Sequence, residues 1–354
     1  MPLVAHNDLP TFDKLRREGV RVLQPDLAGH QDIRELHIGL LNMMPDAALA
    51  ATERQFLRLI GESNPIAQFF VHPFTLDALP REPSAREHID RYYESFEQIK
   101  DKGLDALIIT GANVIGADLS REVFWRPLIE VADWAHENVT STLCSCLATH
   151  AVLDFRYGQK RIKQRRKKWG VYRHRVVDHA HPLVVDINSE FDVPHSRWNS
   201  VDPGQFTSAG LKILVTGDDG CVHLATSPDG FRTVFLQGHP EYDTISLLKE
   251  YKRDVNLYID GEIKVYPPMP DNYFGDFSAA IFREYRSRVD RSLAQASDIP
   301  EFPEHLVQNL LHNTWQDTAT AVVGKWMGLI YQYTNIERRK PFMQGVDPDN
   351  PLGL

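Results

Sequence analysis

The chain has 354 residues, of which 42% are hydrophobic and 25% are charged, proportions that are ordinary for a globular protein with a sizeable core. Its formal net charge of −9 argues against a nucleic-acid binder that relies on a basic surface. Only three cysteines occur, no apolar run approaches the roughly 20 residues that span a bilayer, and no secretory signal pattern opens the chain, so we expect a cytoplasmic protein that does not enter a membrane.

The first part of the chain alternates between predicted strands and helices. Residues 1–34 are mixed and polar and are predicted to form an N-terminal arm over a core. Buried strands are predicted at 36–44, 68–71, 104–109 and 139–143. Helices are predicted after Asp46, which can cap the first of them, in part of 78–103, around 125–134, and from Cys146 onwards. Because the strands are almost continuously apolar, the sequence predicts an α/β fold with a mostly parallel sheet flanked by helices.

The pattern changes after Gly158. A strongly basic run at 160–168 precedes two strand-like pieces, a hairpin pair and a helix, predicted at 182–187, 210–216, 221–226, 232–237 and 244–259. Residues 265–275 are proline-rich, and amphipathic helices are predicted within 302–333. The chain is therefore divided into an N-terminal arm at 1–34, an α/β core at 35–265 and a C-terminal helical extension at 266–354 that packs on the core.

Cys146 is the strongest candidate for a reactive group. It follows the apolar run Ser141-Thr142-Leu143-Cys144-Ser145 and stands where the next predicted helix begins. A strand that delivers a thiol to a sharp turn at a helix N-terminus exposes the sulfur and lowers the thiol pKa. Cys144 and Cys221 each lie inside an apparent strand, so we predict structural roles for them.

His239 and Glu241 come directly after another apolar run, at 233–236. The histidine can take the proton of the thiol, and the carboxylate two residues on can orient the ring. The alternative interpretation makes His239 a helix-start residue before a proline and Glu241 an ordinary N-terminal helix charge. Ligands of parallel sheets bind beyond the carboxyl ends of the strands, where Gly111, Cys146 and His239 can converge. The sequence thus predicts nucleophilic acyl chemistry.

Two further features allow two interpretations each. The basic run at 160–168 is either a solvated face or an anion platform, for instance for coenzyme A phosphates or a substrate carboxylate. Arg253 either returns towards the pocket to hold a carboxylate or forms a surface ion pair. Aromatic residues do not interleave the basic run, so nucleic acid is not expected as a partner. The chain has no Cys-x-x-Cys and no His-Glu-x-x-His motif, so no metal is expected in the site.

Six motifs together resemble the homoserine O-acyltransferases of the homoserine O-succinyltransferase type, whose fold is like that of class I glutamine amidotransferases (flavodoxin-like). The motifs are Asn42-Met43-Met44-Pro45, Thr110-Gly111-Ala112, Thr140-Ser141-Thr142-Leu143 with Cys146, Gly170-Val171-Tyr172, Pro194-His195-Ser196-Arg197 and Gly238-His239-Pro240-Glu241-Tyr242-Asp243. The resemblance extends from about residue 35 through the C-terminal helices. Their mutual spacing makes the combination specific.

The resemblance implies that Cys146 is the acyl-thioester nucleophile, that His239 is the proton acceptor and that Glu241 supports it. It further implies that substrate is contacted by Lys167, Ser196 and Arg253. Backbone N–H groups would hold the oxyanion at Leu147, Gly111 and Ala112. The implied reaction is a ping-pong transfer from succinyl-CoA, used as a co-substrate with no bound cofactor, to L-homoserine in methionine biosynthesis. The oligomeric state stays open, with a homodimer among the options.

Four positions depart from the family pattern. Asp46-Ala47-Ala48 stands where a lysine is common, Leu147 replaces a tryptophan, and His150 replaces a glutamine as either a core residue or a neighbour of the thiol. The position that sorts acyl donors is Ile115, where succinyl users carry glycine and acetyl users glutamate. An uncharged side chain there tolerates the carboxylate of a succinyl group, so we expect succinyl-CoA.

Three alternatives stay open beside that expectation. The first is a homoserine or serine O-acetyltransferase that uses acetyl-CoA. The second is a glutaminase-type amidotransferase hydrolase, although the Gly-x-Cys-x-Gly turn usual there is missing around Cys146. The third is a non-catalytic binding protein, against which the presence of both Cys146 and His239 argues.

Overall fold

The computed structural model of the protein describes residues 3–29, 33–64, 66–114, 116, 118–341, 347 and 349–353. The strands within these ranges are β1 (Leu3–Val4), β2 (Val22–Leu23), β3 (Glu35–Leu41), β4 (Gln68–Phe74), β5 (Ala106–Ile109), β6 (Ser141–Ser145), β7 (Ile162–Val176), β8 (Glu190–Ser200), β9 (Lys212–Gly217), β10 (Val222–Thr226) and β11 (Thr233–Leu236). They form one sheet in the order β2-β1-β4-β3-β5-β6-β11-β10-β9-β7-β8.

Twelve α-helices accompany this sheet in the described part of the chain. They are α1 (Pro10–Arg17), α2 (Pro25–Gly29), α3 (Asp46–Ser63), α4 (Pro83–Tyr92), α5 (Phe96–Lys102), α6 (Trp125–Asn138), α7 (Leu147–Tyr157), α8 (Pro203–Ser208), α9 (Ser246–Ile259), α10 (Asp276–Gln295), α11 (Glu304–Val307) and α12 (Gln316–Tyr333). No helix within the described ranges is long and apolar enough to cross a membrane.

Strand direction divides the sheet into two parts. From β2 to β11 every neighbouring pair is parallel, whereas the pairs from β11 through β10, β9 and β7 to β8 are antiparallel. The predicted mostly parallel α/β sheet with flanking helices is confirmed. The carboxyl ends of β3, β5, β6 and β11 lie along one edge, because these four strands are parallel neighbours.

Successive side chains of the central strands point to opposite faces of the sheet and so contribute to two apolar cores, one on each face. On β5, Ala106 and Ile108 pack with residues of α3 and α12, while Leu107 and Ile109 pack with residues of α5, α6 and α7. Side chains of successive strand residues point to opposite faces, so a strand that is apolar throughout must be covered on both. A third core joins α9 and α10 to the buried Trp169 of β7.

The long β7–β8 hairpin is the main element that the sequence did not predict. The basic run at 160–168 supplies the first half of β7, and its charged side chains are mostly exposed or half-buried. The strand forms because β8 pairs with it across most of its length, a non-local interaction that leaves little apolar pattern. Helix α10 was likewise not predicted individually.

Three local predictions are wrong. Residues 182–187 form turns and not a strand. Leu183 and Val184 are buried there, and the backbone N–H of Val184 donates to His181 O at 2.9 Å, which closes a turn. Cys221 precedes β10 and is not inside a strand. Asp46 is the first residue of α3 and not its cap, and its carboxylate instead accepts the backbone N–H of Glu82 at 2.7 Å.

The close approach of Gly170 on β7 to the backbone of Asp271 generates a stability prediction. Gly170 has φ +147°, and an added Cβ would lie 2.5 Å from Asp271 N and closer still to its carbonyl oxygen. We expect Gly170→Ala to lower the free energy of unfolding by about 1–3 kcal/mol. Gly328→Ala is the control: Gly328 is helical with open space around it, so alanine should raise stability by roughly 0.5–1 kcal/mol. Urea unfolding checks both, and equal midpoints would contradict the prediction.

Candidate active site

Cys146 occupies the turn between β6 and α7 in a backbone conformation that non-glycine residues rarely adopt. Its φ is 51° and its ψ is −106°. Its backbone N–H donates to Leu236 O at 2.7 Å, and the Thr149 hydroxyl donates to Cys144 O at 2.7 Å while accepting from Leu236 N at 3.1 Å. These bonds join the turn to the end of β11. The result is a half-buried thiol presented at the carboxyl edge of the sheet.

His239 follows β11, the strand beside β6. Its Nδ1 lies 2.8 Å from Glu241 Oε1, its ring stacks on Tyr242 with centroids 4.4 Å apart, and its backbone N–H donates to Pro194 O at 2.8 Å. Its Nε2 is buried and has no hydrogen bond of good geometry within the described residues. The ring is therefore fixed through Nδ1, with Nε2 left for proton exchange.

The electrostatic surroundings of Cys146 and His239 favour a negatively charged thiolate and a positively charged imidazolium. Burial alone would raise the pKa of the Cys146 thiol, but the positive charge of the neighbouring His239, with a contribution from Arg197, holds that pKa below its usual value. Burial would lower the pKa of His239, yet Cys146 and Glu241 raise it well above the ordinary value. Both shifts favour a thiolate beside an imidazolium.

The structure brings Lys167 and Ser196 together on a half-buried carboxylate, Glu250, that the sequence did not single out. Glu250 Oε2 accepts from Ser196 Oγ at 2.6 Å and lies 3.2 Å from Lys167 Nζ, and its Oε1 accepts from Tyr242 OH at 2.7 Å. Burial would raise the pKa of Glu250, but Lys167, Ser196, Tyr242 and His239 hold it below its usual value. Because the Tyr242 ring stacks on His239, this cluster adjoins the Cys146–His239 pair.

Arg253 does not reach Cys146 or His239 in this conformation. Its side chain is 56% exposed and its guanidinium binds Asp254 Oδ1 through Nε at 2.9 Å and Nη2 at 2.7 Å. It lies one helical turn after Glu250 on α9. Burial alone would lower the pKa of Arg253, but the hydrogen bond and charge of Asp254, with a contribution from Glu250, hold that pKa above its usual value. The arrangement seen is the surface ion pair, at the margin of the Glu250 cluster.

The backbone groups expected to hold an oxyanion lie beside Cys146. An added Cβ on Gly111 would be 3.5 Å from Cys146 Cβ and 3.8 Å from Leu147 N, so this loop passes close to the start of α7. Leu147 is the first helical residue, and N–H groups in a first turn have no partner within their helix. Ala112 is next in this loop and is half-buried.

The loop continues through Val114, whose carbonyl binds Arg161 at 3.2 Å. Ile115, the expected donor-sorting residue, lies outside the described residues.

His150 is a core residue and not a partner of the thiol. It is buried, and its Nε2 lies 3.0 Å from Gln237 Oε1. Burial, with a contribution from Arg197, lowers the pKa of His150 to about 3, so the ring is neutral.

Arg197 is a second residue that the sequence did not single out beyond its motif. Its side chain is buried and binds Asn199 O at 2.7 Å, Cys221 Sγ at 2.7 Å and His195 Nδ1 at 3.3 Å. No carboxylate pairs with it in the described part of the chain, so its charge acts on Cys146 unneutralised. A lone arginine on a charged strand gives no sequence signal of burial.

The segment that carries His239 is fixed from two directions. Asp243 forms ion pairs with Arg54 and Arg58 of α3. The Trp315 indole N–H, just before α12, donates to Tyr242 O at 2.9 Å. Parts of the chain that are distant in sequence therefore position the histidine.

A family model and two relatives carry the same description. A family model described as "Homoserine O-succinyltransferase" matches residues 2–336 of the chain. A protein of that name from Allochromatium vinosum is 65% identical over 354 residues, covering 100% of this chain and 99% of that protein. One from Thiobacillus denitrificans is 63% identical, covering 100% of both. Among solved structures, a glutamine amidotransferase from Thermotoga maritima is 10% identical with a TM-score of 0.43, covering 84% of this chain and 99% of that one.

The opposed pKa shifts of Cys146 and His239 generate a prediction for thiol reactivity. Alkylation of Cys146 by iodoacetamide should follow a pKa below the ordinary 9.0, because the thiolate persists to lower pH when His239 is present. In His239→Ala the alkylation midpoint should move upwards, since burial is then opposed only by the smaller effect of Arg197. Cys144, whose pKa burial raises to about 12, is the internal control and should stay unlabelled. Peptide mass spectrometry across pH checks this, and an unchanged midpoint in His239→Ala would exclude the pairing.

Proposed function

Because the chain belongs to the homoserine O-succinyltransferase family, we propose that it transfers a succinyl group from succinyl-CoA to the hydroxyl of L-homoserine through a thioester on Cys146. The protein is an acyltransferase, and this activity fits methionine biosynthesis. The observation that carries the proposed mechanism is the linkage of Cys146, His239 and Glu241 at adjacent strand ends.

In the first half-reaction the Cys146 thiolate attacks the thioester carbonyl carbon of succinyl-CoA. A new carbon–sulfur bond forms to Cys146, and the bond to the coenzyme A sulfur breaks. The departing coenzyme A thiolate takes the proton from the His239 imidazolium. Negative charge that develops on the carbonyl oxygen is stabilised by backbone N–H groups of Leu147 and of the Gly111-Ala112 loop.

In the second half-reaction the homoserine hydroxyl attacks the succinyl-Cys146 thioester. His239 Nε2 takes the hydroxyl proton, the oxygen–carbon bond forms, and Cys146 leaves as a thiolate, which restores the starting ion pair. Glu241 keeps the proton on Nδ1 of His239, so that Nε2 always faces the reacting groups. One imidazole therefore serves as the acid in the first step and as the base in the second.

We assign substrate binding to the Glu250 cluster and to the surface around it. Lys167 and Ser196 are held ready by Glu250 at the margin of the Cys146–His239 pair. Arg253, whose side chain is 56% exposed, can exchange its Asp254 partner for the homoserine carboxylate. On β7 the exposed Lys163 provides positive charge for coenzyme A phosphates.

Three expectations from the sequence stay predictions. Ile115 is expected to admit the succinyl carboxylate because it carries no negative charge. A homodimer is checked by light scattering on the purified protein, and the cytoplasmic location by fractionation of cells.

The thioester assignment predicts a covalent intermediate. Succinyl-CoA added without homoserine should raise the intact mass by one succinyl group, located on Cys146 by peptide mapping. Cys146→Ala should abolish both the adduct and transfer, since no other group replaces the thiolate. The matched controls Cys144→Ala and Cys221→Ala should keep most activity. Transfer by Cys146→Ala at the parental rate would refute the mechanism, and an adduct formed faster from acetyl-CoA would refute the donor.

If Arg253 binds the homoserine carboxylate, a conservative substitution of Arg253 should weaken the binding of homoserine but not that of succinyl-CoA. Arg253→Lys keeps the charge but loses the planar fork, so the Michaelis constant for homoserine should rise by about tenfold while that for succinyl-CoA changes little. The control is Arg286→Lys on α10, whose side chain is 57% exposed and also ion-paired. Steady-state kinetics with each substrate varied decide the matter. Equal changes for both substrates would make Arg253 a structural residue.

A further inference from the structure

Two histidines and a glutamate outside the active-site cluster meet where the N-terminal segment joins the sheet. His6 follows β1, His72 lies on β4 and Glu94 precedes α5. One ligand-capable atom from each lies within 4.8 Å of the others. We propose that His6, His72 and Glu94 bind a divalent transition-metal ion, with Zn²⁺ the ion that suits this ligand set best.

His6 presents an unused ring nitrogen to this cluster. Its Nδ1 lies 3.1 Å from Val4 O, and since a carbonyl only accepts, the proton is on Nδ1 and the lone pair is on Nε2. That Nε2 is buried and has no hydrogen-bond partner among the described residues. A metal ion satisfies such an atom, and the Val4 carbonyl orients the ring as metal-bound histidines require.

The hydrogen bonds of His72 lead to the same place. His37 Nε2 lies 3.3 Å from the Glu35 carboxylate, and His37 Nδ1 lies 2.9 Å from His72 Nε2. His37 Nδ1 and His72 Nε2 face each other, so one of the two rings donates and the other accepts. His72 Nδ1 lies 2.6 Å from Glu94 Oε1, a distance at which the two atoms share one proton. A metal ion bound here would replace that proton, because metal ligands bind in their deprotonated form.

The surroundings fit a metal ion. Zinc bonds of about 2.0–2.2 Å in a tetrahedral site place ligand atoms about 3.3 Å apart, so side-chain shifts of about 1 Å would close the cluster on the ion. Lys102 Nζ binds the other carboxylate oxygen, Glu94 Oε2, at 2.7 Å and leaves Oε1 to the metal. The Lys102 side chain is 54% exposed, so its charge is screened by water. The bound ion would tie the N-terminal segment to β4.

The test uses the full-length chain with Cys146→Ala, so that the active-site thiolate does not bind zinc. After chelator treatment and removal of the chelator, titration calorimetry and metal analysis should show one Zn²⁺ bound per chain. Saturating zinc should raise the thermal unfolding midpoint by about 2–4 °C. Co²⁺ in the same site should give the strong visible absorption of a four-coordinate site with nitrogen and oxygen ligands.

His6→Gln and Glu94→Gln, each in that background, should lose at least about tenfold in zinc affinity and the midpoint shift. The matched control is His88→Gln, because His88 also contacts a glutamate, Glu53, at 3.1 Å but has no third metal-binding side chain beside it among the described residues. This variant should keep both the zinc affinity and the midpoint shift. If the parent binds no zinc, or if His6→Gln binds it as the parent does, the proposal is overturned and the hydrogen bond between His72 and Glu94 alone explains the cluster. Should a variant fail to fold, the Co²⁺ spectrum of the parent decides, since six-coordinate bands would also overturn the site.

Discussion

The chemistry of this protein depends on the backbone of one residue, Cys146, which is held at φ 51° between β6 and α7. A non-glycine residue in such a conformation costs about 1–3 kcal/mol, which the surroundings must offset. The bond from its N–H to Leu236 O and the Thr149 hydroxyl between two strands supply that support. Because the same bonds connect β6 to β11, the structure that strains the cysteine also fixes its distance from the strand that carries His239.

The histidine side of the pair is fixed by crowding and by long-range contacts. A Cβ on Gly238 would lie 2.5 Å from Val193 Cγ1, so β8 packs directly against the residue before His239. Helix α3 holds Asp243 through Arg54 and Arg58, and the Trp315 indole N–H donates to the carbonyl oxygen of the preceding residue, Tyr242. A positioned base loses effectiveness with small displacements, so these contacts from distant parts of the chain belong to the catalytic geometry.

The features that could be predicted are those that a few consecutive residues reveal. Continuous apolar strands that end in a cysteine or in a histidine with a following glutamate can be recognised within a few residues, and this gave the parallel half of the sheet and the grouping of Cys146, His239 and Glu241. The β7–β8 hairpin could not be recognised, because its stability comes from pairing and its residues are charged. In the sequence Glu250 is indistinguishable from the other charged residues of an amphipathic helix, and only the structure shows that Ser196 and Tyr242 bind it. His6, His72 and Glu94 are too far apart in sequence to form a motif.

Burial also explains why the thiol can be activated by an arginine that does not touch it. A carboxylate next to Arg197 would stabilise the buried guanidinium but would cancel its field at Cys146. Instead Arg197 donates to His195 Nδ1 and to the Asn199 carbonyl, which are neutral acceptors. Burial, and the charge of Arg197 itself, lower the pKa of His195 well below its ordinary value, so the ring stays uncharged and keeps its lone pair. Neutral acceptors such as these do not cancel the charge of the guanidinium, and in a poorly hydrated interior that charge acts on the Cys146 thiol.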